Sequence, residues 1–203
     1  MNERHAYYLK KMDIDVWVKR DQDDLACLAK KVAKCTLCKL HTSRTQTVFA
    51  RGNPQASLMI IGEAPGFNED KQGLPFVGKA GQLLNSILTS MNFDEQDIYI
   101  TNLIKCRPPE NRNPHIGEIN SCAPYLDEQI KQVAPKLLLA LGRFSAHFLT
   151  NQTQPLAKLR SIMHHYHSIP CLVSYHPAYL LRNPQDKKKA YTDWQEVKAF
   201  LNQ

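Results

Sequence analysis

At 203 residues the chain has room for one full α/β domain and little for a second, and its 43% hydrophobic content permits a proper core. Lysine and arginine number 26 against 19 acids, and the formal charge of +7 favours polyanionic partners, nucleic acid first. No run of about 18 apolar residues occurs, so no membrane span is expected, and MNERHAYYLKKMDIDVW lacks the apolar stretch of a secretory signal. A cytoplasmic location is the expectation, where six cysteines do not form a disulfide framework.

Residues 1–24 are polar and mixed in charge, and a peripheral helical arm is expected there, with the main domain over 25–203. Leu25, Leu28 and Val32 at helical spacing predict a short helix over 24–34 that delivers the chain to Cys35. SLMIIG (57–62) is a continuous apolar run, as a strand buried on both faces should be. GKAGQLLNSILTSM (78–91) carries Leu83, Leu84, Ile87 and Leu88 on one helical face. DIYITNLI (97–104) predicts a second strand. Asn113 reads as an N-cap, with Pro114 opening a helix that runs to about Val133 before Pro135 stops it. KLLLALG (136–142) is a third strand, RFSAHFLT (143–150) a short helix, IPCLVSY (169–175) a fourth strand and 186–201 a closing amphipathic helix. His164, His165 and His167 are expected in a surface loop, with metal binding a minor alternative.

Four strands alternating with helices predict an α/β protein with a mainly parallel, four-stranded sheet covered on both faces. Ligands bind such sheets in the crevice beyond the carboxyl ends of the strands. Glu63 follows the first strand, Asn102 lies near the end of the second, Gly142 ends the third and His176 follows the fourth. Ordering alone therefore points three useful side chains at one crevice.

Cys35 and Cys38 form a C-x2-C pair; 67 residues separate Cys38 from Cys106, and 15 separate Cys106 from Cys122. Separate buried cysteines are common, but this pattern favours a metal site. Zinc sites tend to use two compact knuckles, whereas a [4Fe–4S] cluster takes four thiolates at scattered spacing; both stay open on spacing alone. Cys27 and Cys171 are expected as core residues. Lys30, Lys31, Lys34, Lys39, Lys105, Arg107 and Arg112 crowd round the four in sequence. They suit a solvated basic face, an offset to the negative charge of a tetrathiolate cluster, or contacts to phosphates.

GEAPG (62–66), PFVGKAGQLL (75–84), ITNLIKCRPPENR (100–112) and HPAYLLRNP (176–184) occur in that order with the four cysteines between them. On these motifs the chain resembles the family 4 uracil-DNA glycosylases, the iron–sulfur branch of their superfamily, from about Cys35 to about Trp194. The resemblance implies a three-layer α/β/α fold and hydrolysis of the N-glycosidic bond of deoxyuridine in single- or double-stranded DNA, as in base excision repair, by a monomer. It also implies a structural [4Fe–4S] cluster on Cys35, Cys38, Cys106 and Cys122.

A base inside a duplex cannot be attacked in the stack and must flip into a pocket. His176 is expected to donate to a uracil carbonyl oxygen, the plainer reading being a cap before Pro177. Asn102 offers a donor and an acceptor that match the ring N–H and carbonyl of uracil and mismatch cytosine; otherwise it satisfies backbone at a strand end. Phe76 stacks on the base or is ordinary core. Glu63 is the first candidate to position water or stabilise the sugar cation, with Asp70 behind it. The backbone of Gly62, Ala64, Pro65 and Gly66 is expected to border the base, since small residues allow close approach. Tyr179, Leu180 and Leu181 are expected to wedge into the gap left by the base, or to form a buried short helix, and Arg182 to meet phosphate.

Two departures from the family stand out. Phe67 and Asn68 precede Glu69 and Asp70, which leaves no carboxylate at 67 or 68 to position water. Ser161 follows Arg160 where many relatives have glycine, which leaves the geometry of that turn open, because glycine tolerates backbone angles that serine does not. The competing functional class is a non-catalytic iron–sulfur module that binds DNA; it would not need Glu63, Asn102 and His176 together. Zinc deaminase chemistry lacks its His-x-Glu motif here.

Overall fold

The computed structural model describes residues 25–202, so the expected arm over 1–24 lies outside the described residues. Six strands form one sheet in the order β1-β3-β2-β4-β6-β5. They are β1 (Arg51–Gly52), β2 (Leu58–Gly62), β3 (Ile98–Asn102), β4 (Leu137–Leu141), β5 (His164–Tyr166) and β6 (Ile169–Ser174). The inner four, β3-β2-β4-β6, are parallel, and the two edges are antiparallel.

The inner strands are apolar at nearly every position because helices cover both faces. On one face Met59, Ile61, Tyr99, Leu138, Ala140 and Val173 pack against Ile119, Leu126 and Ile130 of α4 (Ile116–Val133) and Ala146 and Leu149 of α5 (Arg143–Thr150). On the other, Leu58, Ile60, Ile100, Leu137, Leu139 and Leu172 meet Leu84 and Leu88 of α3 (Lys79–Ser90) and Trp194 and Val197 of α8 (Lys187–Leu201). Alternate residues along each strand thus feed alternate cores, and the architecture is the expected α/β/α sandwich. Helix α1 (Leu25–Ala33) buries Leu28 and Val32 and lies against α4. Three shorter helices, α2 (Phe67–Gln72), α6 (Leu156–Leu159) and α7 (Pro177–Arg182), sit in connections.

The sheet is larger than the four strands expected. β1 has two residues and β5 three, too short for any period-2 signal to show. β5 also corrects the expected surface cluster of histidines. His164 is buried, and its Nε2 lies 2.8 Å from Leu159 O, while His165 and His167 are exposed. The helix expected from Pro114 instead begins at Ile116, with His115 as N-cap. The Glu118 carboxylate accepts from His115 N at 2.8 Å and takes both ends of the Arg112 guanidinium, and this fixes the start. Cys171 is core as expected; Cys27 is only half-buried.

Register brings the site together. Gly62 pairs with Asn102, so β2 and β3 end level, and Leu141 pairs with Ser174 at the ends of β4 and β6. Hydrogen bonds continue past the strands from Leu103 N to Gly62 O (2.9 Å) and from Ile104 N to Glu63 O (3.2 Å).

Candidate active site

Gly62 is the floor of the crevice. A methyl there would overlap Asn102 Oδ1 and lie 2.7 Å from Phe76 Cζ. Asn102 is only 2% exposed, yet its amide makes no hydrogen bond among the described residues. Among the described residues the one fully enclosed side-chain polar atom without a partner is Gln132 Oε1, so the Asn102 amide keeps some access from outside.

Phe76 reaches the crevice from a strained loop. Its φ of +56° is in the left-handed region, which bulky residues avoid. Two features hold it there. Glu69 Oε1 accepts from Val77 N (3.0 Å) and Gly78 N (2.9 Å), and Gly81 leaves room for the Phe76 carbonyl where a Cβ would collide.

The Phe76 and His176 rings lie 5.5 Å apart and within 28° of parallel. His176 is the N-cap of α7, and its Nδ1 accepts from Ala178 N at 3.1 Å. An accepting Nδ1 carries no proton, so the neutral ring bears its hydrogen on Nε2. Burial pulls the pKa down to about 4, helped by the charge of Arg182 and opposed by Glu69. The ring is therefore a neutral donor at pH 7. Its capping and donating roles use opposite nitrogens and do not compete. Gly142, at φ +92°, gives it space: a methyl there would come within 2.9 Å of His176 Cβ.

Glu63 follows Gly62 and is half-buried, with no side-chain hydrogen bond among the described residues. Burial raises its pKa above the ordinary carboxylate value, and Arg143, at the start of α5, works against that. Asp70 is otherwise engaged: both its oxygens accept from Thr45 N, at 3.0 and 3.1 Å. Pro65 is buried, and Ala64 and Gly66 are half-exposed beside α2.

The four candidates for DNA contact divide in two. Leu180 is 1% exposed and belongs to a small core with Tyr175 and Ala190. Tyr179 stacks on Tyr175 at 5.0 Å, and its hydroxyl donates to Asp186 Oδ2 at 2.7 Å. Leu181, 43% exposed, and Arg182 face outward. The short helix is thus both a buried brace and an exposed tip.

Cys35, Cys38, Cys106 and Cys122 line a single cavity together with Arg44, Lys105 and Tyr125. Arg44 Nη1 donates to Cys106 Sγ at 3.1 Å and Nη2 to Ala33 O at 3.1 Å; Lys105 N donates to Cys122 Sγ at 3.3 Å. As a free thiol Cys122 would be neutral, since burial pushes its pKa up to about 11. Among the described residues, no three His, Cys, Asp or Glu side chains stand at the spacing of a single-ion site.

Three positions escaped the sequence reading. Glu69, which shapes the Phe76 loop and is the acid that His176 feels, carries no mark beyond following GEAPG. Gly81 looks like any helical glycine. Phe67 is 49% exposed with Lys71 Nζ 4.4 Å and Arg107 Cζ 5.0 Å from its ring centroid, which only the fold brings about.

An acid, an amide and an imidazole thus stand at the carboxyl ends of three parallel strands of one sheet. The sequence profile of the uracil DNA glycosylase superfamily matches residues 49–198, and the chain belongs to that superfamily. A type-4 uracil-DNA glycosylase of Saccharolobus solfataricus is 40% identical over 89% of this chain and 88% of its own. Proteins of the same name from Archaeoglobus fulgidus and Thermotoga maritima are 34% and 35% identical, each over 86% of this chain and over 92% and 93% of theirs. Within the superfamily, this chain's place is with the type-4 uracil-DNA glycosylases.

Proposed function

We propose that the crevice between Gly62, Asn102, Phe76 and His176 is where this chain receives a uracil flipped out of DNA, and that Glu63 serves the sugar beside it. The chain is a uracil-DNA glycosylase that hydrolyses the bond between uracil and deoxyribose in DNA repair. The observation that carries the site assignment is the Asn102 amide, which makes no hydrogen bond among the described residues and packs against a glycine and an aromatic ring.

As the glycosidic bond lengthens, the base gains negative charge and the sugar gains oxocarbenium character. The His176 Nε2–H donates to a carbonyl oxygen of the departing base. A donor aimed at developing charge in a dry site is worth about 3 kcal/mol, or about 10²-fold in rate. Because the ring is neutral, it stabilises the uracil anion without having to protonate it. Asn102 pairs its oxygen with the ring N–H and its N–H with the adjacent carbonyl; cytosine would leave both unmatched, and such mismatches in a buried site are costly. Phe76 gives the base a face to stack on. The Glu63 carboxylate, when ionised, stabilises the cationic sugar and orients the incoming water. Leu181 and Arg182, at the exposed tip of α7, fill the vacated stack and meet phosphate.

The four-cysteine cavity fits a [4Fe–4S] cluster. Four sulfurs line it, N–H groups of Arg44 and Lys105 point at two of them, and the cations around it suit a net negative group. When bound, the cluster supplies a covalent staple between α1, the β3–α4 connection and α4.

The test is uracil release from oligonucleotides, read by alkaline cleavage at abasic sites. Wild-type turnover in both Asn102→Ala and His176→Ala would remove the site assignment.

A further inference from the structure

Helix α2 has two unlike faces. Its acids are spent on backbone: Asp70 accepts from Thr45 N, and Glu69 from Val77 N and Gly78 N. Gln46 Nε2 donates to Lys71 O at 2.7 Å. These bonds brace a six-residue helix against chain that comes both before and after it. Its remaining side chains, Phe67, Asn68, Lys71 and Gln72, are exposed.

A single exposed apolar residue needs no explanation. Phe67 differs because of what stands round it. The Lys71 ammonium lies 4.4 Å from the centroid of its ring and the Arg107 guanidinium carbon 5.0 Å from it, both within the range over which a ring face attracts a cation. Arg107 is steadied by its Nε–H, which donates to Asn111 Oδ1 at 2.8 Å. Neither cation has a carboxylate partner: the ion pairs among the described residues use Arg51, Arg112, Arg160 and Lys189. Two like charges gathered at one ring repel each other, and an anion between them removes that cost.

The place of this patch says which anion. Phe67 directly follows Gly66, at the end of the loop that borders the crevice, and Arg107 lies five residues beyond Asn102. The patch therefore grows from the ends of β2 and β3, the same two strands that carry Glu63 and Asn102 to the crevice. A uracil seated in that crevice stays joined through phosphates to its neighbours, and the strand leaves the pocket across this rim.

We propose that Phe67, Lys71 and Arg107 form a second nucleotide subsite, in which an unpaired base next to the flipped uracil stacks on the exposed part of the Phe67 ring and its phosphate lies between the two cations. The proposal rests on the crevice being the uracil pocket. An aromatic ring flanked by cations holds single strands without reading sequence, because every base has a π-face. A base in a duplex is already stacked and paired and gains little by moving to Phe67. The subsite thus strengthens binding of single-stranded uracil DNA and leaves duplex binding almost unchanged.

The test is uracil release by the full chain from short single-stranded and duplex oligonucleotides, together with single strands in which alkali-stable abasic spacers replace the nucleotides on either side of uracil. Phe67→Ala should raise KM on the intact single strand about tenfold and on the duplex less than about twofold. Its single-turnover rate at saturation should stay within about twofold of wild type, and Phe67→Trp should restore the single-strand KM. The spacers should raise the KM of the wild type about tenfold and that of Phe67→Ala less than about twofold, since the variant has no stack left to lose. Lys71→Met should lower the slope of log KM against log salt on single strands by about 0.7, the share of one phosphate. Equal KM values for wild type and Phe67→Ala, equal losses on single strand and duplex, or a full spacer penalty in Phe67→Ala overturns the stacking site. An unchanged salt slope in Lys71→Met overturns the phosphate contact. A wild-type chain that releases no uracil from any substrate ends the glycosylase reading as well, whereas release without these differences removes the subsite alone.

Discussion

Gly62 and Asn102 face each other in register at the ends of β2 and β3, and the space that Gly62 lacks a side chain to fill is occupied by the Asn102 amide and the Phe76 ring. Adding one methyl at 62 must therefore move both. Gly62→Ala should keep the fold and lower kcat/KM by about 10²-fold, the cost of displacing a positioned group by about 1 Å. A near wild-type rate in a folded Gly62→Ala protein would mean that neither side chain reads the base.

The neutral state of His176 can be measured directly. Its ring should titrate by NMR with a midpoint of about 4, not near the ordinary 6.5. As pH falls below 6.5, the unfolded chain takes up this proton before the folded one does. Its contribution therefore lowers stability between pH 6.5 and about 4 and does nothing above that range. His176→Gln should flatten this part of the stability profile and cut uracil release about 10²-fold at pH 7.

The acid limb of the activity profile belongs to Glu63. Burial raises its pKa, so the carboxylate is lost at a pH above the ordinary glutamate value of about 4.3. Activity should fall with falling pH through that raised value, while His176 keeps its donor throughout. Glu63→Gln should be slow and lack this limb. An unchanged limb in the variant would assign it to another group.

Protein purified without oxygen should be brown, with a broad absorbance near about 400 nm and about four irons per chain. Arg44→Ala removes the guanidinium 3.1 Å from Cys106 Sγ and should make the colour bleach faster in air. Colourless protein with stoichiometric zinc would overturn the cluster reading.

Ser161 holds φ at +57° at an exposed turn, next to Arg160, which forks onto Asp193 at 2.9 and 2.7 Å. The turn has the backbone angle that glycine adopts without strain. Ser161→Gly should stabilise the protein by about 0.5–1 kcal/mol, seen as a higher denaturant midpoint at unchanged slope. A lower midpoint would mean that the serine makes up for its strain elsewhere.

The sequence by itself determined the layered α/β plan, because continuous apolar runs such as 58–62 and 137–141 have no stable place except a sheet covered on both faces. It also put Asn102 and His176 at strand ends, since chain order alone sets which end of a parallel sheet each residue reaches. Motif order picked out the four cysteines as a set. Only the tertiary structure decided the rest. The edge strands came from pairing too short to leave a pattern, and the start of α4 from Glu118 reaching back to His115. Leu180 turned inward while Leu181 turned out. Asp70 went to Thr45, and Glu69, two residues after Phe67, shaped the Phe76 loop. Lys105 looked like one more basic residue near the cysteines, and the fold buried it between Asn102 and Cys122. Patterns of polarity report which face of an element is covered; they carry no information about which distant partner a given polar atom will meet, and that is where the chemistry of this site lies.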